Sequence, residues 1–110
     1  IGLFKKEQSD LGRANALQTL GDLESRLDEP AQAELFYQQA LLLYQKELEP
    51  TGLINTCLQM ARLTHAFGPQ GVEQASAQTW HERSLQYARQ TGVQYFIDFV
   101  ENAGQELFNN

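Results

Sequence analysis

The sequence predicts an all-α fold: antiparallel helical hairpins stacked side by side, two complete hairpins followed by one more helix. Three observations carry this. Apolar residues recur every three or four positions through most of the 110 residues, which is the spacing of one helix face. Breakers at Asp28-Glu29-Pro30, Glu49-Pro50-Thr51-Gly52, Gly68-Pro69-Gln70-Gly71 and Thr91-Gly92 divide that pattern into segments of helix length. The chain also repeats itself. Laying 4–23 over 44–63 matches Lys6 with Lys46, Glu7 with Glu47, Gly12 with Gly52, Asn15 with Asn55 and Leu23 with Leu63, an offset of 40 residues without a gap. A fixed period of that size marks a repeat array, in which each hairpin buries against its neighbours a face it cannot bury alone.

Taken in order, residues 1–8 read as the last turns of a helix that began earlier, and Ile1 in place of Met suggests a piece of a longer chain. Ser9-Asp10 offers an N-cap for the next helix. Leu11, Ala14, Leu17, Leu20, Leu23 and Leu27 then form one stripe, with Ala16 and Gly21 leaving room for a close neighbour. Pro30 suits the first turn of a second helix, whose apolar face carries Ala33, Phe36, Tyr37, Ala40, Leu41, Leu43, Tyr44 and Leu48. Residues 10–48 are thus a first repeat and 50–91 a second. In the second repeat Ala77, His81, Ser84 and Leu85 follow Ala33, Tyr37, Ala40 and Leu41 at an offset of 44, so its turn is longer or its second helix starts earlier, near Val72. Residues 93–108 form a fifth helix, striped by Val93, Ile97, Val100, Ala103 and Leu107. The whole of 1–110 is expected to be a single domain.

Composition excludes several classes of work. A net charge of −6 and a pI near 4.7 disfavour nucleic acid and anionic membranes as partners. No apolar run reaches membrane-spanning length and no signal peptide is recognisable, and the single Cys57 excludes an intrachain disulfide. These features lead to the expectation of a cytoplasmic protein. His65 and His81 lack companion ligands or a nucleophile at a recognisable spacing, so neither a metal site, a cofactor nor catalysis is expected. Cys57 and Trp80 read as core residues.

The pattern of Leu17, Leu20-Gly21, Ala33, Tyr37 and Ala40, echoed more loosely by Cys57, Met60-Ala61, Ala77, His81 and Ser84, resembles the tetratricopeptide repeat family. The period and the run Leu11-Gly12-Arg13-Ala14-Asn15 look like its long-period branch, seen in bacterial signalling ATPases and regulators and in eukaryotic polarity adaptors. The resemblance implies an α-solenoid and a non-enzymatic module that binds a peptide or helix of a partner protein in a concave groove, as part of a signalling or regulatory scaffold. Glu24 and Thr64 stand where the family has an aromatic. Glu101 stands at the position of Gly21 and Ala61, so the fifth helix is expected to lack a closely packed hairpin partner and to cap the array.

The groove would be lined by first-helix positions off the apolar stripe. These are Asn15, Gln18, Asp22 and Arg26 in the first repeat, Asn55, Leu58, Gln59, Arg62 and His65 in the second, and Tyr95, Asp98 and Asn102 in the fifth helix. Asn15 and Asn55 suit backbone recognition because an amide both donates and accepts. The plain alternative is that these positions are only solvated polar surface. The lysine-rich clamp with which some relatives hold a C-terminal carboxylate is missing: Arg62 is the one cation among Gln18, Asp22, Leu58 and Arg62. Tyr95 and Phe99 add a second apolar line at helical spacing, beside Phe96, and offer a self-association surface, so a structural spacer or homodimer is the second expectation.

Overall fold

The computed structural model describes the backbone of residues 2–70 and 75–109 and the side chains of residues 10–70 and 75–109. These residues are all-helical, with no strand among them. Helices α1 (Gly2–Arg26), α2 (Pro30–Lys46), α3 (Pro50–Phe67), α4 (Ala77–Thr91) and α5 (Gln94–Phe108) follow one another. No helix of the described residues is long and apolar enough to cross a membrane.

The turns explain the folding back. At the end of α1, Glu29 N–H donates to Glu24 O (2.9 Å) and Asp28 N–H to Ser25 O (3.2 Å). At the end of α2, Glu49 N–H donates to Tyr44 O (3.0 Å) and Leu48 N–H to Gln45 O (3.2 Å). Both are the paired closing bonds that satisfy a helix's last carbonyls, and both place one residue, Asp28 or Leu48, in the left-handed region with φ of 58° and 52°. Pro30 and Pro50 then begin the next helix, where a missing N–H costs nothing. The α4 helix is opened by Ser76, whose Oγ accepts from Thr79 N–H, and closed by Gly92 in the left-handed region at φ 71°.

The helices form two layers. The α1 helix packs along α2 and α3 along α4; α2 on α3 and α4 on α5 join the hairpins, and α3 also touches both α1 and α5. One layer is therefore α1, α3 and α5, the other α2 and α4. The larger core cluster gathers Ala14, Tyr37, Leu41, Tyr44, Cys57, Met60, Leu63 and Trp80 from the first four helices. A second cluster of Ile54, Leu58, Ala88, Val100 and Ala103 fastens α5 to α3 and α4.

One expectation changes. The α1 helix runs from Gly2 without a break at Ser9-Asp10. A capping residue only favours a start, and no proline or helix-ending turn precedes it here. The α4 helix begins at Ala77; the earlier start near Val72 lies outside the described residues. Glu101 is exposed, and α5 packs through Val100, Ala103 and Gly104 instead.

Candidate functional site

The site is built from aromatic rings of one layer that slot into gaps in the other. A Cβ on Gly21 would stand 2.5 Å from the Tyr37 ring, so only glycine lets α2 lie this close to α1. Gly52 on α3 gives way to the Tyr44 ring in the same manner, and Gly104 on α5 to the His81 ring. Each ring thus passes its polar end through to the α1–α3–α5 layer. The Tyr37 hydroxyl donates to Asp22 Oδ1 at 2.5 Å. The Tyr44 hydroxyl lies between Asn15 Oδ1 (2.5 Å) and Gln18 Oε1 (3.1 Å). His81 Nε2 bonds the carbonyl of Val100 at 2.8 Å.

From Asp22 a chain of polar contacts crosses to α3. Gln59 Nε2 donates to the same Asp22 Oδ1 (2.8 Å), and Arg62 Nη1 donates to Gln59 Oε1 (2.6 Å). Burial and, next, the hydrogen bond and charge of Asp22 push the Tyr37 hydroxyl well above its ordinary pKa, while Arg26 and Arg62 pull the other way. Burial, then the charge of Glu49, push Tyr44 up as well.

Two clefts run along this face. One, of about 230 Å³, lies between α1 and α3 and is lined by Asn15, Gln18, Tyr44, Glu49, Thr51 and Asn55 among others. The other, also about 230 Å³, lies between α3 and α5 over Ile54, Tyr95, Phe96 and Phe99. Thr51 and Asn55 line both clefts, so a polar half and an aromatic half meet across α3.

The residues expected in the groove divide accordingly. Asn15, Gln18, Asp22, Gln59 and Arg62 come together in the hydrogen-bonded face, with Asn55 between the clefts. Arg26 is exposed in the last turn of α1, close enough in charge to act on Tyr37. His65 is exposed and meets the edge of Phe108 at 5.8 Å between centroids. Tyr95 keeps 72% of its surface and Phe99 is exposed beside it. Asp98 accepts from Gln94 Nε2 (2.8 Å), and Asn102 is exposed. Leu58 is a correction: at 1% exposure it is core, because α5 closes over the part of α3 that carries it. Sequence reasoning assigned Tyr37 to packing alone, did not place Tyr44 on the face, and missed Glu49 and Thr51. The usable signal was the spacing of the tyrosines, seven apart on α2 and each opposite an Asn or Asp of α1.

No family model, no curated protein and no solved structure matches this chain.

Proposed function

We propose that the chain is a non-enzymatic protein-interaction module of the tetratricopeptide-like kind, and that the α1–α3–α5 face grips an extended or helical segment of a partner protein. The carrying observation is the pair of tyrosine hydroxyls, Tyr37 on Asp22 and Tyr44 on Asn15 and Gln18. They hold the polar side chains in fixed positions before any partner arrives, which lowers the ordering cost of binding. The single proton of the Tyr44 hydroxyl goes to its nearer neighbour, Asn15 Oδ1, so the amide nitrogen of Asn15 is left to donate to a carbonyl of a bound backbone. The aromatic cleft at Tyr95, Phe96 and Phe99 would take an apolar side chain of the same segment. The setting is then a scaffold in a larger regulatory protein.

A display library of random peptides panned against the protein tests this. Enriched peptides should lose binding to the Asn15→Ala, Asn55→Ala double variant and keep it for Leu35→Ser on the far side of α2. Peptides indifferent to the double variant would remove the groove reading. A second reading, self-association, is favoured by the exposure of Tyr95 and Phe99. Sedimentation showing a stable dimer that Tyr95→Ser dissolves would replace the first reading with the second.

A further inference from the structure

The layer of α2 and α4 carries a trough of its own. Both helices pack on α3 and not on each other, so a gap runs between them with α3 as its floor. One part, of about 330 Å³, lies between Leu41 and Leu42 of α2 and Trp80 and Arg83 of α4, over Cys57. The next, of about 440 Å³, continues over Leu53 to Thr91. Gln45 and Tyr87 line both parts, and their contact of 3.4 Å is longer than an ordinary hydrogen bond, so it divides the trough only weakly. Leu42 stands on the rim with 66% of its surface uncovered. The walls have helical pitch. Gln38, Leu42 and Gln45 follow one another at steps of four and three, and Trp80, Arg83 and Tyr87 at three and four. A helix laid between two such ridges meets gaps at the spacing of its own side chains, whereas an extended segment presents a side chain to one face at every second residue. Gln38 to Gln45 span about 11 Å, and with the part beyond them the trough has room for about three helical turns.

Arg83 is the one charged side chain among the residues lining the two parts. Its guanidinium carbon lies 4.5 Å from the centre of the Trp80 ring, and that stacking fixes the cation at the trough wall. Stacking uses the face of a guanidinium, while its N–H donors lie in the plane. Elsewhere on α4, Arg89 stands against Glu82. The carboxylate of α2, Glu34, is buried and accepts from Gln38 Nε2 at 2.9 Å. In a chain of net charge −6 the trough therefore presents positive charge.

We propose that the α2–α4 trough is a second docking surface, which takes an amphipathic helix of a partner protein whose apolar stripe is flanked by carboxylates. The stripe covers Leu42, Leu53 and Tyr87, and a carboxylate meets the Arg83 guanidinium. The pitch of the walls selects a helix and the charge of the trough selects its flank. The chain then joins two partners, one on each layer, and this surface is independent of what the α1–α3–α5 face binds.

The probe is a stapled helix of about three turns with a leucine stripe flanked by glutamates, compared with the same helix flanked by lysines. Trp80 is the chain's single tryptophan and lines the trough, so its emission reads occupancy. The glutamate helix should bind roughly tenfold tighter than the lysine helix, and added salt should shrink the preference. Arg83→Gln should abolish the preference. Leu42→Glu, at an exposed position, should weaken the glutamate helix by roughly tenfold without lowering the melting temperature. The Asn15→Ala, Asn55→Ala double variant, which tests the other face, should bind the glutamate helix as the natural chain does. No binding of the glutamate helix, equal binding of the two probes, or loss of binding in that double variant would overturn the second surface. A dimer of the chain dissolved by Leu42→Glu would also overturn it, by giving the trough to a second copy.

Discussion

The ring of Tyr44 occupies the space that a side chain on Gly52 would need, and its hydroxyl emerges on the far side to meet Asn15. One residue therefore locks α2 onto α3 and sets a donor-bearing amide on α1. Packing and recognition are coupled in this chain, because the same rings that fill the inter-layer gap orient the polar face. Tyr37, Gly21 and Asp22 repeat the device further back along α2, there between α2 and α1 alone.

Alanine at the glycines should separate this role from mere flexibility. Gly52→Ala and Gly21→Ala gain about 1 kcal/mol of helix propensity but force a Cβ into a tyrosine ring, an overpacking that costs roughly 1–3 kcal/mol. Net destabilisation is expected, together with loosening of the polar face. Gly12→Ala meets no atom and should stabilise the chain by about 1 kcal/mol. Urea unfolding of the three variants reads both signs, and a stabilised Gly52→Ala would contradict the interlock.

Removing a hydroxyl leaves the ring in place. Tyr37→Phe keeps the contact with Gly21 and should cost about 1–2 kcal/mol for a lost hydrogen bond to a carboxylate. The pH dependence has a definite sign. The fold raises the pKa of Tyr37 and Tyr44 above the ordinary 10.0 because it favours the protonated phenols. Their contribution is full below pH 10.0 and declines as pH rises beyond it. The urea midpoint of the natural chain should fall through that range, and Tyr37→Phe should flatten the fall.

Much of this architecture is legible in the residues themselves. Breakers at Pro30, Pro50 and Gly92 mark the helix ends, and the 40-residue offset puts Leu63 and Ala103 on equivalent buried faces. Small residues at Ala33, Ala40 and Ala61 announce where helices meet. The polar face is legible only in part. Periodicity reports that Tyr37 and Tyr44 are buried, but the partner of a hydroxyl depends on which glycine lies beneath the ring in another helix. Leu58 shows the converse. Its equivalent Gln18 lies beside a cleft, yet Leu58 is core because α5 covers α3 there, and coverage by a later helix leaves no trace in local spacing.

Leu48 carries a cost without an evident return. It stands in the left-handed region at φ 52° and is 82% exposed, where glycine or asparagine would close the same turn without a Cβ conflict. Leu48→Gly should stabilise the chain by about 1 kcal/mol. Thermal denaturation decides it, and a loss of stability would mean that Leu48 contributes to the cleft it lines with Tyr87 and Leu53.

Thr56 is the one buried side-chain polar atom among the described residues that has no hydrogen-bond partner. An unmet buried hydroxyl carries a desolvation penalty of about 1–3 kcal/mol. Thr56→Val keeps the shape and removes the hydroxyl, so the urea midpoint should rise. An unchanged midpoint would place a water or another partner on that oxygen in solution.

Tyr95 and Phe99 distinguish a recognition surface from a packing surface. Both are exposed on α5, so Tyr95→Ser and Phe99→Ser should each change folding stability by no more than about 0.5 kcal/mol. Peptides selected for binding should nevertheless weaken by roughly tenfold when either aromatic is lost, because an anchor of that kind is worth more than about 1 kcal/mol at a contact. Titration calorimetry gives the affinity and urea unfolding the stability. A drop in both together would assign these rings to the fold. A drop in affinity alone assigns them to the partner, since an exposed side chain that is silent in folding and costly in binding acts only when something covers it.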